Sequence, residues 1–295
     1  MDGALRAPAP LGQAVCDLLL GVLPPSATTL LLVLSGASTY TGTTAVSRGK
    51  MIVSGSLAQT SSVLVDGADA QLIVTGAINP AAIVTVSNGT VSGTGSTGPL
   101  VTSTAATAVT IAPGNSIGIL TVQGNAATPG LDLSRGDGAV LSIELGKVIP
   151  GSTVLGPGVD YDQIVIAGDT AALNTIVLGF NAALELTIPS GLSIDIGDVF
   201  FIAVNTANST PVSGTFEALP EGATLFASDG TPFAITYQAA WTGSQAGSTK
   251  TGGNDIAVVA VPEPGTTLSL LLGLAGLAGL GRRFRVPPTR SVRCR

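Results

Sequence analysis

The chain has 295 residues, 45% of them hydrophobic, 10% charged and 4% aromatic, with 39 Gly, 18 Pro and no His. A typical globular domain is about a quarter charged, so Thr, Ser, Asn, Gln and Gly must carry this surface, and the lack of histidine excludes Ser-His-Asp triads, Cys-His dyads and His-ligated zinc. Six of the twelve basic residues (Arg282, Arg283, Arg285, Arg290, Arg293 and Arg295) close the chain and all eighteen acids precede them; so acidic a body argues against a nucleic-acid partner, because phosphate contacts need clustered Lys and Arg.

Residues 1–28 form an uncertain N-terminal segment. Apolar runs at Val15 to Leu23 and Thr28 to Leu34 are parted by Pro24-Pro25, and the leading residues offer Asp2 and Arg6 where a secretory signal has a basic start. Asp17 interrupts the pattern further, so the segment reads either as an atypical signal or as a misplaced start. Cys16 and Cys294 lack partners at metal-ligand or redox-motif spacing and are treated as incidental.

Residues 29–125 consist of short β-branched runs divided by Gly, Asn, Asp and Ser. The predicted strands are Ala45 to Val46, Met51 to Val53, Val63 to Val65, Leu72 to Val74, Ile83 to Val86, Val109 to Ile111 and Ile119 to Val122, each too short for a stable helix. Their ends recur in two series. One runs Val63-Leu64-Val65-Asp66-Gly67, Val84-Thr85-Val86-Ser87-Asn88-Gly89, Val109-Thr110-Ile111-Ala112-Pro113-Gly114; the other runs Ile52-Val53-Ser54-Gly55, Ile73-Val74-Thr75-Gly76, Thr90-Val91-Ser92-Gly93. Matching glycines recur at roughly 20 residues, the scale of a solenoid coil. A three-residue strand cannot bury its apolar face alone, whereas stacking coils about 4.8 Å apart sets Val on Val and Ile on Ile. The expectation is an all-β parallel β-helix, with a β-sandwich as the alternative.

Two stretches carry a resemblance. Leu34-Ser35-Gly36-Ala37-Ser38-Thr39-Tyr40-Thr41-Gly42-Thr43-Thr44-Ala45-Val46-Ser47-Arg48-Gly49 resembles the autotransporter-associated β-strand repeat of surface passenger proteins. Ala112-Pro113-Gly114-Asn115-Ser116-Ile117-Gly118-Ile119-Leu120-Thr121-Val122 resembles a second passenger motif. The first motif occurs in one good copy, with Arg48, Lys50 and Met51 departing from its usual small or apolar residues, so no long array is implied.

Residues 126–260 continue as β body and cap. Strands are predicted at Val140 to Leu145, Ile164 to Ala167, Thr175 to Leu178, Leu184 to Ile188, Phe200 to Val204, Ala234 to Tyr237 and Ile256 to Val261. The order of Asp160-Tyr161-Asp162-Gln163-Ile164, Val212-Ser213-Gly214-Thr215-Phe216, Ile235-Thr236-Tyr237 and Asn254-Asp255-Ile256 resembles the end of many such passengers, and a terminal cap is what keeps open β-edges from pairing with other chains.

Residues 261–285 hold Pro262-Glu263-Pro264-Gly265, an uncharged run from Thr266 to Gly281 containing seven leucines, and Arg282-Arg283-Phe284-Arg285; a basic tail, 286–295, follows. At 1.5 Å per residue the run spans about 24 Å as a helix, short of a hydrocarbon core of about 30 Å, and snorkelling arginines with local thinning bridge the gap. One C-terminal transmembrane α-helix is therefore expected, with the arginines cytoplasmic by the positive-inside rule and the acidic body outside the inner membrane. The order of box, apolar helix and arginines resembles the PEP-CTERM sorting signal. That resemblance implies an exosortase as partner, with Pro262, Glu263 and Pro264 as the processing motif, Arg282, Arg283 and Arg285 as the cytoplasmic basic cluster, inner-membrane lipid around the helix, and the cell surface or extracellular matrix as destination.

No catalytic residue, metal site or cofactor is expected. Asp160 and Asp162 are read as alternating on one strand face, and Asp66 with Asp69 as bracketing a turn; turn acids commonly serve backbone hydrogen bonds. Asn88-Gly89-Thr90 and Asn208-Ser209-Thr210 have the glycosylation-triplet pattern, which is common by chance. The expected function is a structural or adhesive envelope protein, with extracellular polysaccharide as a further partner. The alternative is a secreted carbohydrate-active β-helix enzyme or glycan-binding module bearing the same tail.

Overall fold

A computed structural model of the protein describes residues 4–6, 18–20, 30–125, 127–168, 175–207 and 209–263. Two compact units divide the chain, 1–260 and 261–295. Among its described residues the first is β apart from one 3-10 turn, built of coils whose strands stack in parallel on three faces.

The opening strands are β1 (Ala4–Arg6), β2 (Leu18–Leu20), β3 (Leu31–Leu34) and β4 (Ala37–Ser38), with β1 stacked in parallel on β3. The next coil is β5 (Thr43–Val46), β6 (Gly49–Val53) and β7 (Ser56–Leu57). Two coils follow in which one long strand turns the corner between the first two faces: β8 (Ser62–Val74) with β9 (Ala77–Ile78), and β10 (Ile83–Gly93) with β11 (Ser96–Thr97). Register shifts around Asn88 mark that corner. Then come β12 (Leu100–Thr102), β13 (Ala108–Pro113) and β14 (Ile119–Gln123); β15 (Leu131–Leu133), β16 (Ala139–Glu144) and β17 (Gln163–Ala167); and β18 (Ile176–Leu178), β19 (Ala182–Thr187) and β20 (Val199–Asn205).

The interior consists of aligned rungs. On the first face Thr44, Val63, Val84, Leu100, Leu131 and Ile176 are successive partners, all buried. On the second face the rung runs Leu32, Met51, Leu72, Val91, Ile111, Leu141 and Leu184. Burial alternates along strands such as β6 and β13, so a one-residue slip would turn their apolar side chains outward; that fixes the register. Parallel pairing throughout these coils settles the fold against the sandwich alternative, whose strands are antiparallel.

First-face strands begin at Thr43, Ser62, Ile83 and Leu100, near the expected spacing, and then at Leu131 and Ile176 as loops lengthen. Two repeat assignments shift. Val109-Thr110-Ile111 pairs with Gly89-Thr90-Val91 and so lies one face beyond Val84–Val86, whose partner is Leu100-Val101-Thr102. Ser92 pairs with Ile73, which puts Gly95, two residues beyond Gly93, on Gly76. Gly36, Gly55, Gly76 and Gly95 form one column at a corner: a Cβ at each of the last three would overlap the carbonyl oxygen of the glycine below. The coil cannot turn there at its observed spacing with any other residue.

Beyond β20 the pairing becomes antiparallel. The strands β21 (Thr224–Phe226), β22 (Pro232–Ala239) and β23 (Asp255–Ala260) are ordered β21-β22-β23-β20, with a 3-10 turn at Gln245–Gly247. The last strand thus inserts between β20 and β22 and covers the edge on which another coil would stack. Nine of the eleven aromatic residues lie between Tyr161 and Trp241. Tyr161, Phe200 and Phe233 pack edge to face at 5.4 and 6.1 Å and seal the end of the core.

Candidate functional site

The body ends where β23 ends. Ala260 pairs with Phe233 of β22. On its other side its amide donates to the Asp198 carbonyl at 2.9 Å and its carbonyl accepts from the Gly197 amide at 2.8 Å. Pro262 has no N–H to continue such a ladder, and Pro262 and Glu263 are exposed outside any strand. Pro264, Arg282, Arg283 and Arg285 lie outside the described residues, as does the apolar run expected to be helical. Among the described residues no helix is long and apolar enough to cross a membrane.

The turn that grips Ala260 is itself anchored by a buried cation. Lys147, with a side chain 2% exposed, places its ammonium 2.7 Å from Asp195 and 2.8 Å from Asp198. Burial alone would lower its pKa, but hydrogen bonds and charge from the two carboxylates overcome that and raise it above the ordinary value. The Asp195 amide donates to the Asp198 carboxylate at 2.7 Å, which closes the turn. Lys147 and the turn line a 310 Å³ pocket together with Ser152, Leu155, Val199 and Gln245. Sequence reasoning passed over this cluster: its members are 48 residues apart, and only stacking of two successive corner loops brings them together.

Asp160 and Asp162, singled out in the sequence, serve the backbone. Asp160 and Asp162 do not alternate on a strand; they lie in the turn entering β17, because each carboxylate faces inward to bind amides. Asp160 accepts from Val148 at 3.0 Å and Gly156 at 2.8 Å, and Asp162 from Gly118 at 2.7 Å and Glu144 at 2.8 Å. Asp255 likewise accepts from Asn205 at 2.7 Å and Trp241 at 2.6 Å. Asp66 and Asp69 are exposed within β8, on the stretch that turns its corner. Among the described residues no three His, Cys, Asp or Glu side chains converge as a metal site. Asn88 is half-buried in β10, and Asn208, Cys16 and Cys294 lie outside the described residues.

Burial, helped by the neighbouring Glu144 charge, pushes the Asp162 carboxyl from 3.8 up to about 7 against the opposing pull of its two amide hydrogen bonds. Asp255 is raised too, chiefly by burial. The folded chain therefore holds a proton on Asp162 that the unfolded chain releases between pH 3.8 and about 7. The stability this confers is complete below the lower value and is lost as pH rises through the upper one. Between pH 4.5 and 7.5, the unfolding free energy from urea titration should fall more for the native chain than for Asp162→Asn, by at most about 3 kcal/mol, since one pKa unit is worth about 1.4 kcal/mol. An unchanged pH slope in Asp162→Asn would contradict this.

Known proteins bear on the tail. Residues 260–286 match the PEP-CTERM protein-sorting motif. No curated protein matches the chain. The sorting motif begins at Ala260, the last residue of β23, so the folded body stops where the signal starts. The motif supports an exported surface protein sorted by an exosortase membrane enzyme, with the cell envelope or surface as its destination.

Proposed function

We propose that the protein is a structural or adhesive component of a bacterial cell envelope, with a non-catalytic β-helical body exported ahead of a processed tail. The observation that carries this reading is the junction at Ala260: a body closed by its own final strand, followed at once by an exposed Pro-Glu and the sorting motif. In this reading Thr266 to Gly281 is a transmembrane helix that holds the chain in the inner membrane, and Arg282, Arg283 and Arg285 stay cytoplasmic. The exosortase cuts near Pro262-Glu263-Pro264, where each proline disfavours helix in the residue before it and Pro262 has no N–H to extend a strand ladder, and Glu263 is the acidic residue read by a cationic pocket.

The resemblance of residues 34–49 and 112–122 to autotransporter passenger repeats supports a passenger-like surface role, with extracellular polysaccharide as the matrix partner. Occupation of the Asp160, Asp162 and Asp255 carboxylates by backbone amides supports the non-catalytic reading. Intact-mass analysis of surface protein is the test. The native chain is expected to have lost everything after the box, while replacement of Pro262, Glu263 and Pro264 by alanine leaves full-length protein in the membrane fraction. Full-length native protein at the surface would instead mean a permanent anchor, and glycan turnover by the purified body would overturn the non-catalytic role.

A further inference from the structure

The body carries an apolar rim beside its exit point. Among the described residues eight large hydrophobic side chains are exposed, and five of them belong to the two turns around Lys147: Val148 (56%), Ile149 (69%), Val154 (67%), Val159 (61%) and Ile196 (71%). These side chains stand on braced backbone. Asp160 ties the first turn at both ends through Val148 and Gly156, the Ser152 amide donates to the Ile149 carbonyl at 3.2 Å, and the Ser152 hydroxyl donates to the Val154 carbonyl at 2.8 Å. Ile196 sits between Asp195 and Gly197, in the turn locked by Lys147 that holds Ala260. A soluble surface gains nothing by displaying five aliphatic side chains on fixed loops, and such patches mark contact surfaces.

Chain connectivity says what covers the rim. Six residue steps separate Ala260 from Thr266, where the apolar run starts, and they reach no more than about 20 Å. Before processing, the turns that grip Ala260 are therefore tethered within that distance of the bilayer. We propose that the rim is a membrane-contact patch in which Ile149, Val154 and Ile196 enter the headgroup boundary of the lipid that holds the tail; this rests on the reading of Thr266 to Gly281 as membrane-borne. Lys147, Asp160 and Asp198 turn their charges inward to one another and to backbone amides, and the half-exposed Asp195 beside Ile196 is neutralised by its 2.7 Å pair with Lys147, so the aliphatic tips face outward around one paired carboxylate. The body is acidic, so the contact is apolar and suits zwitterionic lipid. It orients the exposed Pro262 and Glu263 at the membrane surface, where a membrane enzyme works.

The test uses the full chain carrying Cys16→Ser and Cys294→Ser, with one cysteine introduced by Ile149→Cys, Ile196→Cys, Leu277→Cys or Leu64→Cys. Each is labelled with an environment-sensitive fluorophore and reconstituted into phosphatidylcholine vesicles with or without spin-labelled phosphatidylcholine. Labels at 277, 149 and 196 are expected to be quenched several-fold more than the label at 64, which lies on β8, three coils from the rim. Quenching at 277 with 149 and 196 no different from 64 overturns the patch and leaves the tail reading standing. No quenching at 277 overturns the tail reading and the patch with it. A blue shift at 149 and 196 without quenching means that protein covers the rim, and that also overturns the lipid assignment.

Discussion

Gly76→Val is expected to unfold the body. A Cβ at position 76 would overlap the Gly55 carbonyl and press on Ser54, all of it backbone in the coil beneath, which no rotamer change can relieve. Relief requires separating two coils, and that breaks the hydrogen bond from the Gly76 amide to Val53 and the one from Ala77 to Gly55, both 2.9 Å. Rungs such as Met51–Leu72 on the neighbouring face would part with them. The expected loss exceeds about 4 kcal/mol, the range reached by few single substitutions, against a total stability of about 5–15 kcal/mol. Circular dichroism melting should show no cooperative transition or one lowered by tens of degrees. Gly222→Ala is the contrast: its φ is +76° but nothing lies within 4 Å of the added methyl, so only a backbone preference of about 1 kcal/mol is lost. Equal effects of the two substitutions would show that the glycine column does not set the coil spacing.

That column also shows what the sequence makes legible. A glycine recurring near every twentieth residue, behind alternating Val and Ile, is a local pattern repeated in cis, so stacking could be inferred from Ile52-Val53-Ser54-Gly55 and Ile73-Val74-Thr75-Gly76. The frame then slips by two residues at Gly93, because Thr90-Val91-Ser92-Gly93 imitates the repeat while Gly93 stacks on Val74 and the column glycine is Gly95. Leu100–Thr102 and Leu131–Leu133 escaped as strands for a related reason: three-residue strands flanked by Gly and Thr have no periodicity of their own, and only rungs from adjacent coils define them. Pro262 and Glu263 were legible because the sorting box is contiguous. Lys147, Asp195 and Asp198 were not, because the loop lengths that bring them together carry no residue code. Asp160 and Asp162 were seen as acids but misplaced on a strand, since an alternating pair reads the same whether it faces a substrate or a backbone amide.

Ending the chain after Asn254 should abolish folding of the body, whereas ending it after Glu263 should leave its melting temperature within about 2 °C, the scale expected when no buried group is lost. The difference is β23. Its Ile256, Ala257 and Val258 are fully buried, and the Ile and Val alone contribute about 1.5–3 kcal/mol each. Its first residue, Asp255, satisfies the Asn205 and Trp241 amides, and its ladder joins β20 to β22. Removing the strand exposes two unpaired edges at once, β20 of the coil stack and β22 of the cap, so the shortened chain is expected to aggregate by edge pairing. Limited proteolysis and light scattering of the two truncated chains would settle this; a monomeric, protease-resistant product ending at Asn254 would refute it. The body therefore acquires its last structural strand from the seven residues immediately before the exposed Pro-Glu, Asp255 to Val261, and only a cut beyond Ala260 releases it folded. Processing at the Pro-Glu-Pro box meets that condition with a margin of two residues, Val261 and Pro262, if the bond broken is the one before Glu263.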